Sequence, residues 1–266
     1  MYGSTLRDFF ILLIIGALLF IGGYFLVKEL KKSELSFDYD FSIEQEEKLG
    51  NLFKDLIWAQ YTTIKDNPAD TALQKITQRL IQGLDSTKYR YQFTIIKSEQ
   101  INAFTIPGGN IFVFSGLIEL TESPEELAAV LAHEIGHAEK RHVVSKLVKQ
   151  LSITALVSIL SGGDPSMLAQ GLKDIVSNSF DREQEEDADK FALQLLEKAN
   201  ISPKNLARFF ERLNENDLDY DKNLEILMTH PHNDSRIAEV RKYKTKNNFK
   251  PVAFEMDWKK IKTSVE

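Results

Sequence analysis

Two histidines four residues apart, in the segment His133-Glu134-Ile135-Gly136-His137, limit the interpretation of this chain more than any other feature. The surrounding residues have helical periodicity, and residues four apart on a helix differ by about 40° in direction, so the two imidazoles point to one side. Two imidazoles placed in this way can share a zinc ion. Glu134 lies next to them, where a carboxylate can accept a proton from metal-bound water. The segment therefore predicts a helix that carries part of a metal site.

The start of this helix is marked in the sequence. Ser123 is a typical N-cap, Pro124 suits the first turn, and Glu126 completes a capping box. Within the helix, Gly136 costs about 1 kcal/mol relative to alanine. We therefore expect the backbone of another element to approach closely at this glycine.

A catalytic zinc ion needs a third protein ligand. His142 is rejected, because it lies roughly 100° around the helix from the direction that a ligand requires. The acidic segment 180–199 offers carboxylates instead, and helix phase selects Glu185, which falls on the apolar face. Asp189, one turn further on, is expected to accept a hydrogen bond from a ligand imidazole. The alternative is that this acidic run is only a solvated face.

The remaining pattern predicts one mostly helical domain with a small sheet. Apolar spacing in 43–64 and 71–84 indicates two early helices, and Ser42 with Gln45 forms a capping-box pattern before the first. Two β-rich runs flank the turn sequence 107–110, which is typical of antiparallel strands. The expected fold class is α+β, predominantly α, with a small antiparallel sheet.

Composition excludes several classes of protein. The chain has no cysteine, so a metal must be held by His, Asp or Glu. Its 33 basic and 39 acidic residues give a net charge of −6, and no basic block is present, so nucleic acid is not expected as a partner. With 43% hydrophobic and 27% charged residues, the chain has a globular composition.

The N-terminal part predicts a membrane anchor. Residues 9–27 form a run of 19 without charge, and as a helix they reach roughly 28 Å, close to the thickness of the bilayer core. We predict one transmembrane helix, with residues 1–34 as anchor and linker and 35–266 as the domain that follows. A cleaved signal peptide is the alternative. Three lysines lie just after the run, at positions 28, 31 and 32, and favour a cytoplasmic domain.

Several separated blocks resemble one metallopeptidase family. HEIGH, followed by 185–189 as E-x-x-A-D, is similar to the gluzincin family that contains the CAAX prenyl protease and the heat-shock protease HtpX, metallopeptidase family 48. The likeness extends over SIEQEEKLG, NAFTIPGGNIFVFSGLIEL and THPHNDSRI. It implies a zincin-like catalytic domain with one Zn²⁺ per chain, held by His133, His137 and Glu185, and with Glu134 as the general base.

The resemblance also implies roles near the site. Similar His-Pro segments in the family return to the active site, so His230 is the expected oxyanion donor, and Arg236 is expected to orient His230 or the substrate carbonyl. Without the resemblance, His230 and His232 would be ordinary loop histidines. Single-anchor relatives place the domain on the periplasmic face, in contrast to the lysines, so both sides of the membrane stay open.

Substrate binding is expected at the small sheet. One of the strands 103–106 and 111–114 is predicted to present a free edge near the metal, to which an extended peptide can add. Asn102, Ala103 and Phe104 are the candidates for contact with the substrate, and the alternative is a purely structural hairpin. The apolar segment 147–163 is either a core helix or a mobile flap hinged near its two glycines.

Together these features predict a membrane-anchored zinc metalloendopeptidase that acts on proteins or peptides, including unfolded or damaged proteins in the quality control of the cell envelope. The alternative is a non-catalytic chaperone or adaptor that retains a zinc-bound scaffold. The intact Glu134 argues against this alternative, because a protein that only binds has no use for the base.

Overall fold

Helices and strands begin where the sequence provides caps and turns. The computed structural model describes residues 41–215, 225–230 and 234–266. Ser42 and Gln45 form the predicted capping box, and Ser123 caps the helix that contains both histidines. In chain order the elements are α1 (Ile43–Gln60), β1 (Thr63–Ile64), α2 (Pro68–Gln82), β2 (Gln92–Ile96), β3 (Ala103–Ile106), β4 (Asn110–Phe114), α3 (Ser115–Leu120), α4 (Pro124–Glu139), α5 (His142–Leu151), α6 (Ile153–Leu160), α7 (Ser166–Ser177), α8 (Arg182–Lys198), α9 (Lys204–Glu215), α10 (Glu225–Thr229), α11 (Asp234–Lys242) and α12 (Trp258–Thr263). The predicted mostly helical class is confirmed.

The sheet is mixed, which corrects the prediction of an antiparallel sheet. Its strand order is β1-β2-β4-β3, and β3 and β4 form the predicted hairpin, with Phe104 opposite Phe112. In contrast, β2 runs parallel to β4. Residues 97–102 connect β2 to β3, which lies at the edge of the sheet. The tight turn after β3 then places β4 between β2 and β3. Gly108 and Gly109 in this turn have φ values of +78° and +73°, which favour glycine.

Helix α4 lies at the centre of the domain. Fourteen of its sixteen residues are buried, and it packs against β3, α2, α8 and α9. A Cβ atom added at Gly136 would lie 3.0 Å from the carbonyl oxygen of Ala188 and 3.1 Å from its Cα. The expected close approach of another backbone is thus confirmed, and the approaching element is α8. A helix surrounded in this way holds its polar side chains inside the protein.

The helical region after α4 is broken twice. Arg141 has a left-handed conformation with φ of 57°, and Ser152, with φ of 64°, separates α5 from α6. Helix α6 is buried on one side through Leu156 and Ile159, whereas Thr154 is exposed. The segment 147–163 is therefore not one continuous core helix, and the flap hypothesis stays a prediction.

The membrane prediction falls mainly on residues that the structure does not describe. Residues 9–27 and the boundary at 34–35 lie outside the described residues, and both stay predictions. Within the described ranges, no single helix is both long enough and apolar enough to cross a bilayer. Helices α5 and α6 meet these two criteria only when taken together, and the pair is bent by 100°. Ser42–Glu266 forms one compact unit.

Candidate metal centre

Four side chains that commonly bind metals converge inside the domain. His133 and His137 come from α4, Glu185 comes from the first turn of α8, and His230 follows α10. One donor atom from each lies within 4.8 Å of the other three, and all four side chains are buried. The structure thus brings together the three ligands predicted from spacing and helix phase, and adds His230. His232 lies outside the described residues.

The distances among His133, His137 and Glu185 fit three ligands of a tetrahedral zinc ion, and His230 lies beside them. The Nε2 atoms of His133 and His137 are 3.0 Å apart, and Nε2 of His133 is 3.3 Å from Nδ1 of His230. Nε2 of His133 lies 3.4 Å from Oε2 of Glu185, and Nε2 of His137 lies 3.4 Å from Oε1 of Glu185. Ligands about 2.0–2.1 Å from a tetrahedral zinc ion lie about 3.3 Å apart. The nitrogen and oxygen donors are those that zinc accepts.

Glu185 carries a negative charge at this buried position. Burial alone would raise the pKa of its carboxyl, but His230, His133 and His137 outweigh burial and hold that pKa well below its usual range. Arg236 adds a further positive partner, since Nη1 lies 2.7 Å from Oε2 of Glu185. The cluster therefore combines an anionic oxygen with imidazole nitrogens, as a divalent cation requires.

A second carboxylate holds the other side of His133. Nδ1 of His133 lies 2.9 Å from Oδ1 of Asp189, as expected for a group that orients a ligand imidazole. Burial lowers the pKa of His133, but the hydrogen bonds to Asp189 and Glu185 outweigh burial and raise it to about 9. Arg236, expected near His230 or the substrate, here contacts the two carboxylates, and its expected role stays a prediction.

His137 is held by residues to which the sequence assigned no role. Its Nδ1 lies 3.1 Å from Nδ1 of His142, and burial lowers the pKa of His142 to about 4. The ring of Phe180 stacks on His137, with a centroid distance of 4.0 Å. Lys146, one turn after His142, donates to the carbonyl of Asn178 at 2.6 Å and lies 4.4 Å from the Phe180 ring centroid. An edge and a face of the His137 ring are therefore both in contact with protein.

Glu134 lies beside the four donors rather than among them. Thr105 Oγ1 donates to its Oε2 at 2.8 Å, and its Oε1 lies 3.3 Å from Nε2 of His230. Burial raises the pKa of Glu134, and His230, His133 and Thr105 oppose this only in part. Sequence reasoning missed Thr105. It lies two residues from Ala103, so strand alternation places both on the face of β3 that packs against α4.

The three predicted substrate-contact residues lie at the edge of the sheet but are buried. Asn102, Ala103 and Phe104 precede or begin β3, which is the edge strand, yet all four residues of β3 are buried. The side-chain amide of Asn102 donates to the carbonyl of Val176 at 3.4 Å, so the last turn of α7 covers this edge. The free edge expected from the sequence is therefore not exposed here, and substrate binding by these residues stays a prediction.

Comparison with known proteins supports this interpretation of the site. The model of peptidase family M48 matches residues 68–244. The beta-barrel assembly-enhancing protease of Yersinia pestis is 28% identical over 230 residues, which are 82% of this chain and 47% of the relative. Its namesake in Escherichia coli (strain K12) is 29% identical over 213 residues, 75% of this chain and 44% of the relative. The mitochondrial metalloendopeptidase OMA1 of Schizosaccharomyces pombe is 27% identical over 182 residues, 66% of this chain and 53% of the relative.

The chain spans about half the length of the curated relatives it matches. The family match covers more than half of the chain and includes all four donors and Glu134. It confirms the predicted family, the class of zinc metallopeptidases and zinc as the metal. The buried donors at ligand spacing agree with that metal. The chain belongs to peptidase family M48.

Proposed function

We propose that this protein is a zinc-dependent metalloendopeptidase, anchored in a membrane by its N-terminal segment, that cleaves unfolded or damaged proteins in the cell envelope. The observation that carries the proposal is the place of Glu134. Its carboxylate is buried, is held by Thr105, and lies next to the donor cluster without belonging to it. A site that only bound a metal would need no such additional carboxylate.

The residues of the site divide the chemistry among them. His133, His137 and Glu185 would hold the zinc ion, which when bound lowers the pKa of a coordinated water to about 7 and polarises a carbonyl. Glu134 takes the proton from the attacking water, and its raised pKa suits it to return that proton to the leaving amine. Thr105 keeps the carboxylate in one orientation throughout.

His230 is the proposed donor to the oxyanion. Its Nε2 faces Oε1 of Glu134 at 3.3 Å, and its Nδ1 lies 2.9 Å from Oε1 of Glu185. The nitrogen on the side of Glu134 is therefore close to the place where a peptide carbonyl would be attacked. A donor at that position stabilises the charge that develops on the carbonyl oxygen.

We propose that substrates bind in extended form along β3. An edge strand offers main-chain hydrogen bonds, which bind peptides with little sequence preference and so suit unfolded chains. The residues 176–180 contact both Asn102 and His137, so this segment must move before a peptide can pair with β3. Oligomeric partners are not needed for this mode of binding.

The zinc content and the proteolytic activity of the full chain test the proposal. We expect about one zinc per chain and cleavage of casein, with Glu134→Gln retaining zinc but losing cleavage. Glu183→Gln, the same change at an exposed position of α8, is the matched control and should cleave normally. Zinc without cleavage in the wild type would favour a non-catalytic chaperone or adaptor. Absence of zinc would refute the ligand assignment.

The side of the membrane needs a separate experiment. The names of the relatives refer to beta-barrel assembly and to mitochondria, and on this basis we propose that this domain lies outside the cytoplasm. Protease protection in sealed inside-out vesicles should show that the domain is shielded. Digestion of the domain in such vesicles would instead favour the cytoplasmic side that the lysines after the apolar run indicate.

A further inference from the structure

The contact between His137 and His142 has no role in the mechanism described above. The two Nδ1 atoms are 3.1 Å apart, both rings are buried, and the ring centroids are 5.0 Å apart. Nε2 of His137 points the opposite way, toward His133 and Glu185. His142 therefore touches His137 on the side of the ring that faces away from the donor cluster.

The backbone makes this contact possible by leaving the helix. On a continuous helix, five residues of separation would turn position 142 about 140° away from position 137. Instead α4 ends at Glu139, Arg141 adopts φ of 57° and ψ of 28°, and α5 begins at His142. The chain reverses at Arg141, and the first side chain of α5 returns to the last turn of α4.

An ion pair holds this left-handed residue in place. A non-glycine residue in this conformation is unfavourable by itself. Nε and Nη2 of Arg141 lie 2.7 Å and 2.6 Å from Oε1 of Glu46, which is buried in α1. The hydroxyl of Tyr89 donates to Oε2 of the same carboxylate at 2.6 Å. Glu46 thus stabilises the turn that brings His142 to His137.

The hydrogen bond between the rings has one direction that is compatible with a metal ligand. To bind zinc through Nε2, His137 must keep a lone pair there and carry its proton on Nδ1. Nδ1–H of His137 then has to be the donor, and Nδ1 of His142 has to be the acceptor. The reverse direction would place the proton of a neutral His137 on Nε2, where it would face the donor cluster.

We propose that His142 is a positioning residue, whose Nδ1 accepts the Nδ1–H of His137 and so presents Nε2 of His137 to the zinc ion, with the Glu46–Arg141 pair setting its place. His142 does for His137 what Asp189 does for His133, since each ligand imidazole has a partner on its remote nitrogen. The inference rests on the proposed function only through the zinc site.

Two substitutions of His142 test the acceptor. His142→Asn places an amide oxygen near the position of Nδ1, and we expect zinc affinity within about threefold of wild type in a chelator competition with the full chain. His142→Phe keeps a ring but removes the acceptor, and we expect affinity to fall by about 10–100-fold. If the Phe variant does not fold, His142→Gln replaces it, because its amide lies nearer the position of Nε2.

A readout that does not depend on activity separates positioning from general stability. The tautomer of His137 can be followed in the zinc-free protein by nitrogen NMR of its ring. We expect the Nδ1–H form in the wild type and in His142→Asn, and a mixture of tautomers in His142→Phe. Equal zinc affinity in all three proteins, or equal losses in Asn and Phe, would overturn the proposal. Loss of zinc in the wild type would instead refute the site itself.

The part played by the ion pair has its own matched pair of variants. Glu46→Gln weakens the hold on Arg141 and should lower zinc affinity several-fold, less than His142→Phe does. Tyr89→Phe removes a hydrogen bond to the same carboxylate but leaves Arg141 bound to it, so zinc affinity should not change. Equal zinc affinity in Glu46→Gln and the wild type would remove Glu46 and Arg141 from the proposal.

Discussion

Arg236 binds Asp189 through two parallel hydrogen bonds, from Nε to Oδ2 at 2.7 Å and from Nη2 to Oδ1 at 2.8 Å. Both side chains are buried, and a bidentate pair of this kind fixes orientation as well as charge. Oδ1 of Asp189 also faces Nδ1 of His133. The guanidinium from α11 therefore reaches a candidate zinc ligand through a single carboxylate.

Removal of the charge on Asp189 should weaken zinc binding. Asp189→Asn keeps the size of the side chain but replaces the anionic partner of His133, and we expect zinc affinity to fall by about 10–100-fold in chelator competition. Asp55→Asn, the same change at an exposed position of α1, is the control. Similar affinities in the two variants would contradict the orienting role of Asp189.

Zinc binding should release about one proton near neutral pH. Burial lowers the pKa of His133, but Asp189 and Glu185 raise it to about 9, so the zinc-free protein carries a proton there at pH 7. Burial keeps His137 neutral, because it lowers the pKa of His137 well below its usual range. Zinc affinity should then rise by about tenfold per pH unit up to about pH 9.

Calorimetry in buffers of different ionisation enthalpy measures this proton directly. We expect the apparent binding enthalpy to depend on the buffer with a slope of about one proton per zinc at pH 7. Asp189→Asn removes a partner that raises the pKa of His133, so the slope should decrease in that variant. A slope of zero in the wild type would show that His133 is already neutral before zinc binds.

The spacing of α4 and α8 depends on Gly136. Gly136→Ala would press a methyl group against the backbone of Ala188, at 3.0 Å from its oxygen. Overpacking of this kind costs about 1–3 kcal/mol, and separation of the helices would move Glu185 away from the histidines. We expect a lower melting temperature and weaker zinc binding together. Gly162→Ala separates backbone strain from overpacking, because an added Cβ there meets nothing within 4 Å while the φ of +90° disfavours alanine. Normal zinc binding in Gly136→Ala would show that the site tolerates the shift.

Local rules predicted those parts of the site that lie on regular helices. The spacing of His133 and His137 and the phase of Glu185 need only the helical repeat, and the caps at Ser42 and Ser123 mark where helices begin. Gly136 indicated a close backbone contact, since glycine is unfavourable inside a helix and its use there suggests that a larger side chain would not fit.

The rest depends on contacts between distant parts of the chain. His142 was rejected as a ligand on the assumption of a continuous helix, and nothing about Arg141 in the sequence predicts a left-handed residue. Its conformation is supported by Glu46, which lies 95 positions earlier. The parallel pairing of β2 with β4 likewise follows from the path of the connection 97–102, because the apolar pattern of a strand does not by itself determine whether its neighbour runs parallel or antiparallel.

The stability of the domain should depend on pH through Glu197. Its carboxylate accepts the backbone N–H of Lys246 at 2.7 Å and the hydroxyl of Tyr243 at 2.6 Å, and these two hydrogen bonds, above all that from Lys246, lower the pKa of Glu197. A carboxyl whose pKa is lower in the folded state stabilises the fold above its unfolded pKa, and this stabilisation is lost as the pH falls through the folded pKa.

Glu197→Gln should therefore lower the melting temperature at pH 7 and have a smaller effect at pH 3. Because Glu197 is partly exposed, solvent screening limits its contribution to about 1 kcal/mol or less, which corresponds to a shift of about 2–4 °C in a domain of this size. Glu47→Gln, at an exposed position of α1 beyond its first turn, should leave the melting temperature unchanged at both pH values. An equal loss at pH 7 and pH 3 would mean that Glu197 acts through packing of its side chain, and that its charge contributes nothing to the attachment of residues 243–246 to α8.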